Sequence, residues 1–191
     1  VCQDLIINEP ALQSAIARTL GVREQDLSKS LVEKSLTRLQ ANDLGIRDLS
    51  GLEYAKNLES LVVRDNLIDD LSPIQKLSKL NNLDLSGNRL KDLSSLVAYP
   101  DSLVSGAHST VDHSALRILN LSRNRLLGLS GIEHIRSLAQ LDVSENSLID
   151  LEGVGKLNEL VNLYVQGNQL GRIESFVDKN RNKEFDPGES F

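Results

Sequence analysis

At 191 residues the chain fits a single domain built on one core. Its apolar share is an ordinary 40%, but aromatics make up only 3% and Trp and Met are absent, so the core must be aliphatic. The formal charge of −6 comes from interleaved acids and bases. No run of Lys and Arg offers a footprint to nucleic acid or an anionic membrane surface, and no apolar run reaches the ~18 residues of a membrane span. These features exclude nucleic-acid binding and membrane insertion.

Cys2 is the one cysteine and cannot close an internal disulfide. It reads as a plain thiol, with a lipidated lipoprotein cysteine as the alternative, against which the preceding Val1 speaks. Because the chain opens on Val1, the lack of a leader carries no information. Residues 8–20 predict an amphipathic helix. Asn8 or Glu9 leads in, Pro10 suits the first turn, Leu12, Ile16 and Leu20 share a face, and Gly21 ends it. A second helical stretch is predicted over Asp26–Lys34, carrying Leu27 and Leu31. Residues 1–35 thus read as a helical N-terminal cap.

From residue 36 the chain repeats itself. Asn66, Asn88, Asn124, Asn146 and Asn168 each follow a Leu-x-x-Leu-x-Leu pattern, at intervals of 22, 36, 22 and 22. A degenerate first unit runs through Leu36, Leu39 and Ala41, with Leu44 in the Asn slot. Six units in register predict a solenoid over 36–176: one short strand per unit, a turn, and an extended or 3₁₀-like return. The Asn is expected to turn inward and bond backbone groups at a buried corner. The fold class is therefore α/β, a right-handed leucine-rich-repeat solenoid with a parallel concave sheet.

The run 36–74, with its Gly-Ile-x-Asp-Leu-x-Gly-Leu-Glu-Tyr-Ala phrase at Gly45–Ala55, resembles the first repeats of bacterial internalin-like proteins. That resemblance implies a secreted or surface-anchored protein engaging host proteins, neighbouring cells or matrix. The chain departs from it at the interrupted repeat and in lacking an evident immunoglobulin-like follow-on domain. An intracellular scaffold of the phosphatase-regulatory repeat type shares the 22-residue period and stays open, as does a targeting domain of a larger surface protein.

Outward strand positions form three columns of candidate contacts. Ser60, Asn82, Ile118, Gln140 and Asn162 make the first; Val62, Asp84, Asn120, Asp142 and Tyr164 the second; Arg64, Ser86, Ser122, Ser144 and Gln166 the third. Val62, Arg64, Asp84, Ile118, Asn120, Asp142 and Tyr164 are the candidate partner-binding residues, for a protein or glycan ligand. Six strands ~4.8 Å apart present a flat footprint of only ~300–400 Å², against about 800 Å² for a standard interface. The interruption near 100–113 is the second candidate surface, since solenoids commonly add function in such loops. There His108, Ser109, Asp112 and His113 lie close in sequence, in no spacing that matches a metal or nucleophile constellation. His134 reads as a solvated return-side residue.

Residues 177–191 carry the clearest chemical signal. Asp178, Asn180, Asn182, Glu184, Asp186 and Glu189 occupy the donor positions of a twelve-residue calcium loop, with Lys183 where glycine is usual. Calcium takes six to eight hard oxygens, and this loop supplies side-chain oxygens from all of these but Glu184, which offers its carbonyl. The expectation is a non-enzymatic, monomeric recognition module, extracellular or at the cell surface, with Ca²⁺ closing its C-terminal end.

Overall fold

The computed structural model describes residues 5–97 and 113–171. The readings of Cys2, His108, Ser109, Asp112 and the calcium loop lie outside the described residues.

The first helix, α1 (Pro10–Leu20), buries Leu12 and Ile16 completely. Glu9 caps it without a side-chain bond to the helix; its carboxylate instead accepts from the Arg47 amide at 3.3 Å and ties α1 to the first repeat. Gly21 ends it at φ 67°, a left-handed conformation that lets Gly21 and Val22 donate to Arg18 O and Ala17 O. The second stretch is not one helix. A 3₁₀ turn covers Glu24–Asp26, Leu27 is extended and buried, and α2 spans Lys29–Ser35. The break follows from Ser28, whose Oγ accepts from Leu31 N at 3.3 Å and starts a fresh helix there.

Six three-residue strands follow: β1 (Arg38–Gln40), β2 (Ser60–Val62), β3 (Asn82–Asp84), β4 (Ile118–Asn120), β5 (Gln140–Asp142) and β6 (Asn162–Tyr164). They pair in chain order in one parallel sheet. The degenerate first unit supplies a genuine strand. Across the interruption Asn82 still pairs with Ile118 and Asp84 with Asn120, so the extra residues leave the register intact. Leu39, Leu61, Leu83, Leu119 and Leu141 point inward and are fully buried, joined by return-side residues such as Leu52, Ile74 and Ile132 on 3₁₀ turns.

The asparagines do what the sequence anticipates. Asn88 Nδ2 donates to Leu85 O in its own repeat and to Val63 O in the preceding one, both at 2.9 Å, while its Oδ1 accepts from Ile68 N at 3.0 Å. Asn66, Asn124, Asn146 and Asn168 repeat the arrangement. The strand-end carbonyls of Val63, Leu85, Leu121 and Val143 are thereby each shared by two asparagines, for example Leu85 O by Asn88 and Asn124. Leu44 is tolerated in the first unit because Asn66 already serves Ala41 O.

His113 belongs to the repeat rather than to the interruption. Counted back from Leu116 it fills the slot of Ala55, Leu77 and Ile135, all buried, and it is itself buried. In regular units the amide in this slot donates to the carbonyl three residues earlier: Ala55 to Leu52 at 2.9 Å, Leu77 to Ile74 at 3.1 Å, Ile135 to Ile132 at 3.0 Å. The interruption separates His113 from Leu96, and its ring Nε2 bonds Leu96 O at 3.0 Å instead. A carbonyl only accepts, so Nε2 carries the proton. The side chain thus gives Leu96 O a donor from the slot whose backbone amide serves that carbonyl in regular units.

Candidate functional site

The open face of the sheet is less available than its alternation suggests. Val62 and Asp84, both counted above as outward contacts, are 7% and 4% exposed. Each is walled in by side chains in register on neighbouring strands: Val62 lies between Gln40 and Asp84, and Asp84 between Val62 and Asn120. Asp84 is also saturated. Its Oδ1 accepts from the amide and hydroxyl of Ser86 (3.1 and 2.7 Å), and its Oδ2 from Arg64 Nε (2.7 Å) and Asn120 Nδ2 (3.5 Å). The same local turn recurs one and two strands on. Asn120 Oδ1 takes the amide and hydroxyl of Ser122, and Asp142 Oδ1 those of Ser144. Asp-x-Ser and Asn-x-Ser pairs therefore spend their hydrogen-bonding capacity holding the strand ends.

What remains outward is sparse and distinct. Ile118 is 37% exposed and Tyr164 42%, with the Arg64 side chain half-exposed beside the Asp84 carboxylate. Tyr and Arg are the residue types that anchor interfaces. These three, with Arg38 and Gln40 exposed on β1 and Asn120, Gln140 and Asn162 between and around them, are the usable part of the face.

A column just beyond the strands was not anticipated. The residue before each corner position (Leu44 in the first unit, Asn in the other five) is left-handed: Asp43, Asp65, Gly87, Arg123, Glu145 and Gly167 have φ between 53° and 74°. Gly87 leaves room for Arg123 Nη2 to reach Asp65 Oδ1 at 3.1 Å, two repeats away. A Cβ at Gly87 would fall on the Asp65 carboxylate. The signal was present in sequence as two glycines in one column, at 87 and 167.

On the return side, Lys29 lies 4.4 Å over the Tyr54 ring at the mouth of a 680 Å³ groove between α2 and the 3₁₀ turns. His134 is solvent-exposed, as its repeat position implies. Asp48 and Asp92 are held below the usual carboxylate range, in each case first by the hydroxyl and then by the amide of the serine two residues on. Among the described residues no three His, Cys, Asp or Glu side chains converge on a point that could hold a metal ion. No described helix is long and apolar enough to cross a membrane.

Family models for leucine-rich repeats match residues 56–98, as two copies, and residues 115–135. These are leucine-rich repeats. No curated protein sequence matches the chain. Among solved structures the repeats are similar to an internalin (inlF) of Listeria monocytogenes, 21% identical at a TM-score of 0.47 over 86% of this chain. The chain spans 58% of that protein's length. An internalin C2 (inlC2) of the same organism is 23% identical at a TM-score of 0.45, over 94% of this chain and 91% of the other. A structure of the CBM51-2 and INT domains of Clostridium perfringens ZmpB, in complex with GlcNAc, is 34% identical over 48% of this chain and 20% of its own, with a TM-score of 0.41.

Proposed function

We propose that this chain is a non-enzymatic recognition module, exposed at a cell surface or secreted, that binds a protein partner across the open face of its sheet. The observation that carries the reading is the state of that face. A rigid six-stranded platform, its acids and serines already satisfied internally, presents an arginine, an isoleucine and a tyrosine outward. Satisfied polar groups cost nothing further to leave at the rim of an interface, whereas an exposed Tyr and Ile gain by burial. Internalins among the similar structures accord with a bacterial surface setting. The flat sheet alone falls short of a standard interface, so the partner also engages flanking loops.

The C-terminal loop takes calcium in this reading. Asp178, Asn180, Asn182, Glu184, Asp186 and Glu189 are hard oxygen donors of the right kind and spacing, and extracellular modules of this sort bind at roughly 10⁻⁴–10⁻³ M. Calcium would supply a cross-link within the loop and no chemistry on a substrate.

The binding test is a screen of the chain against surface-protein ectodomains and a glycan array, followed by Arg64→Ala, Ile118→Ser and Tyr164→Ala. Tyr164→Ala should weaken the recovered protein partner about tenfold or more. A partner indifferent to all three substitutions, or a glycan as the sole ligand, would overturn the assignment. For calcium, the melting temperature should rise in millimolar Ca²⁺ by mass action and fail to rise in Asp178→Ala; equal melting with and without calcium counts against the loop.

A further inference from the structure

The sequence contains no cluster of basic residues, but the fold assembles one. Arg117 precedes β4, and His134, Arg136 and Ser137 lead from a 3₁₀ turn into β5, so that stacking brings them around one 320 Å³ hollow on the flank of the solenoid. His113 and Ser114 complete its wall, and among the described residues Glu159 is the only acid lining it. It reaches back across one whole repeat to pair with Arg117, whose Nη1 also donates to Ser137 O at 3.0 Å. The intervening residues on that path, Ser137 and Ala139, are small. Among the described residues the Arg136 guanidinium and the His134 ring make no hydrogen bond, though the His134 ring lies near enough to the Glu133 carboxylate to attract it. The hollow therefore already holds one carboxylate of the chain's own, and still carries the Arg136 guanidinium and the His134 imidazole, the latter beside Glu133.

We propose that this hollow is a binding site for a tetrahedral oxyanion, the phosphate or sulfate group of a ligand, with Glu159 as an internal competitor. In a chain of net charge −6 an anion meets attraction only where cations are gathered. Guanidinium groups bond such anions through paired N–H donors. Donors here come from two adjacent repeats, so they approach an anion from different sides. That suits an ion with oxygens in several directions, and a planar carboxylate satisfies fewer of them. Arg117 positions Glu159 in the resting state; once an anion enters, its remaining N–H groups turn to the new oxygens.

The test uses the full chain in ¹H–¹⁵N correlation spectra, titrated separately with inorganic phosphate, inorganic sulfate and acetate at constant ionic strength. Phosphate or sulfate should give saturable shifts in the amides of 114–118, 134–137 and 159–161, with acetate at least about tenfold weaker. Arg136→Ala should reduce the affinity about tenfold, as loss of a charged hydrogen bond does. Glu159→Gln, which removes the competitor of an exposed ion pair, should tighten it about two- to fivefold. Both side chains lie outside the core, so spectra of the variants report folding directly. Non-saturating shifts, acetate binding as tightly as phosphate and sulfate, indifference to Arg136→Ala, or weaker binding in Glu159→Gln would each overturn the proposal.

Discussion

Replacing Asn88 with Ala tests whether the buried asparagines hold the solenoid through hydrogen bonds rather than by filling space. The groups it serves are not equally dependent on it. Val63 O keeps Asn66 as a donor at 3.0 Å, Leu85 O keeps Asn124 at 2.9 Å, and Ser86 O keeps the Asp65 amide at 2.9 Å. Ile68 N–H is different, because Asn88 Oδ1 is its acceptor and the site is buried. One orphaned buried donor costs about 1–3 kcal/mol, and three shared carbonyls each losing a second bond add roughly 1 kcal/mol together, for a total of about 2–4 kcal/mol. At about 2–4 °C per kcal/mol for a chain of this size, the melting temperature should fall by about 5–15 °C. Asn168→Ala is the control. It makes the same kinds of bonds, to Val143 O, Val165 O and Leu148 N, but in the last described repeat and only half-buried, where water replaces lost partners. It should cost about 1 kcal/mol. Urea unfolding of both variants decides the matter: a loss below about 1 kcal/mol for Asn88→Ala, or equal losses at the two sites, would refute the hydrogen-bond account.

Two further perturbations follow from the same structure. Gly87→Ala should cost more than Gly21→Ala, although φ is near 70° at both, because a methyl at 87 displaces Asp65 from Arg123 whereas nothing lies within 4 Å at 21. The left-handed conformation alone accounts for about 1–2 kcal/mol, and equal denaturation midpoints for the two variants would show that the Arg123–Asp65 contact contributes nothing. Acid should destabilise the protein through Asp48 and Asp92. Both carboxyls titrate below their unfolded value near 3.9, so their contribution is full above about pH 4 and lost as pH falls through the folded values. Asp48→Asn should flatten the decline of the urea midpoint below pH 4 and leave pH 5–7 unchanged; an altered slope above pH 5 would contradict the assignment.

The repeat was legible because its cause is one-dimensional: inward leucines and corner asparagines recur at a fixed spacing, and stacking identical units leaves little freedom in how they pair. The helix break at Ser28 was missed because Leu27 and Leu31 fit a helical face either way, and only the cap settles where the helix begins. Exposure on the sheet was misjudged at Val62 and Asp84 for a related reason. Strand alternation tells which side a residue faces but not how tightly its neighbours in adjacent strands enclose it, and the Asp84–Arg64 pair joins residues 20 apart. The flank hollow is invisible to any linear scan, since Arg117, Arg136 and Glu159 lie in the lead-ins to three successive strands, up to 42 residues apart.

His113 offers the sharpest separation of architecture from addition. If the imidazole stands in for a displaced backbone amide, removing residues 99–112 returns Leu96 and His113 to the three-residue spacing of a regular unit, and the residue-113 amide becomes free to donate to Leu96 O as Leu77 does to Ile74. The shortened chain should therefore fold, with the β3–β4 pairing kept. The decisive comparison is His113→Leu in the two backgrounds. In the full chain it removes the donor to Leu96 O and should destabilise by about 1–3 kcal/mol, reduced by the apolar gain of leucine in a buried slot. In the shortened chain the amide already serves that carbonyl, leucine matches the residues used elsewhere in the column, and the substitution should be neutral or stabilising. A coupling of about 1 kcal/mol or more between the deletion and the substitution, measured by urea unfolding of the four chains, is the expected result. Equal effects of His113→Leu in both backgrounds would mean that the imidazole merely fills space. A folded, shortened chain also makes the interruption separable from the scaffold, so any partner it loses must be held by the removed residues rather than by the sheet.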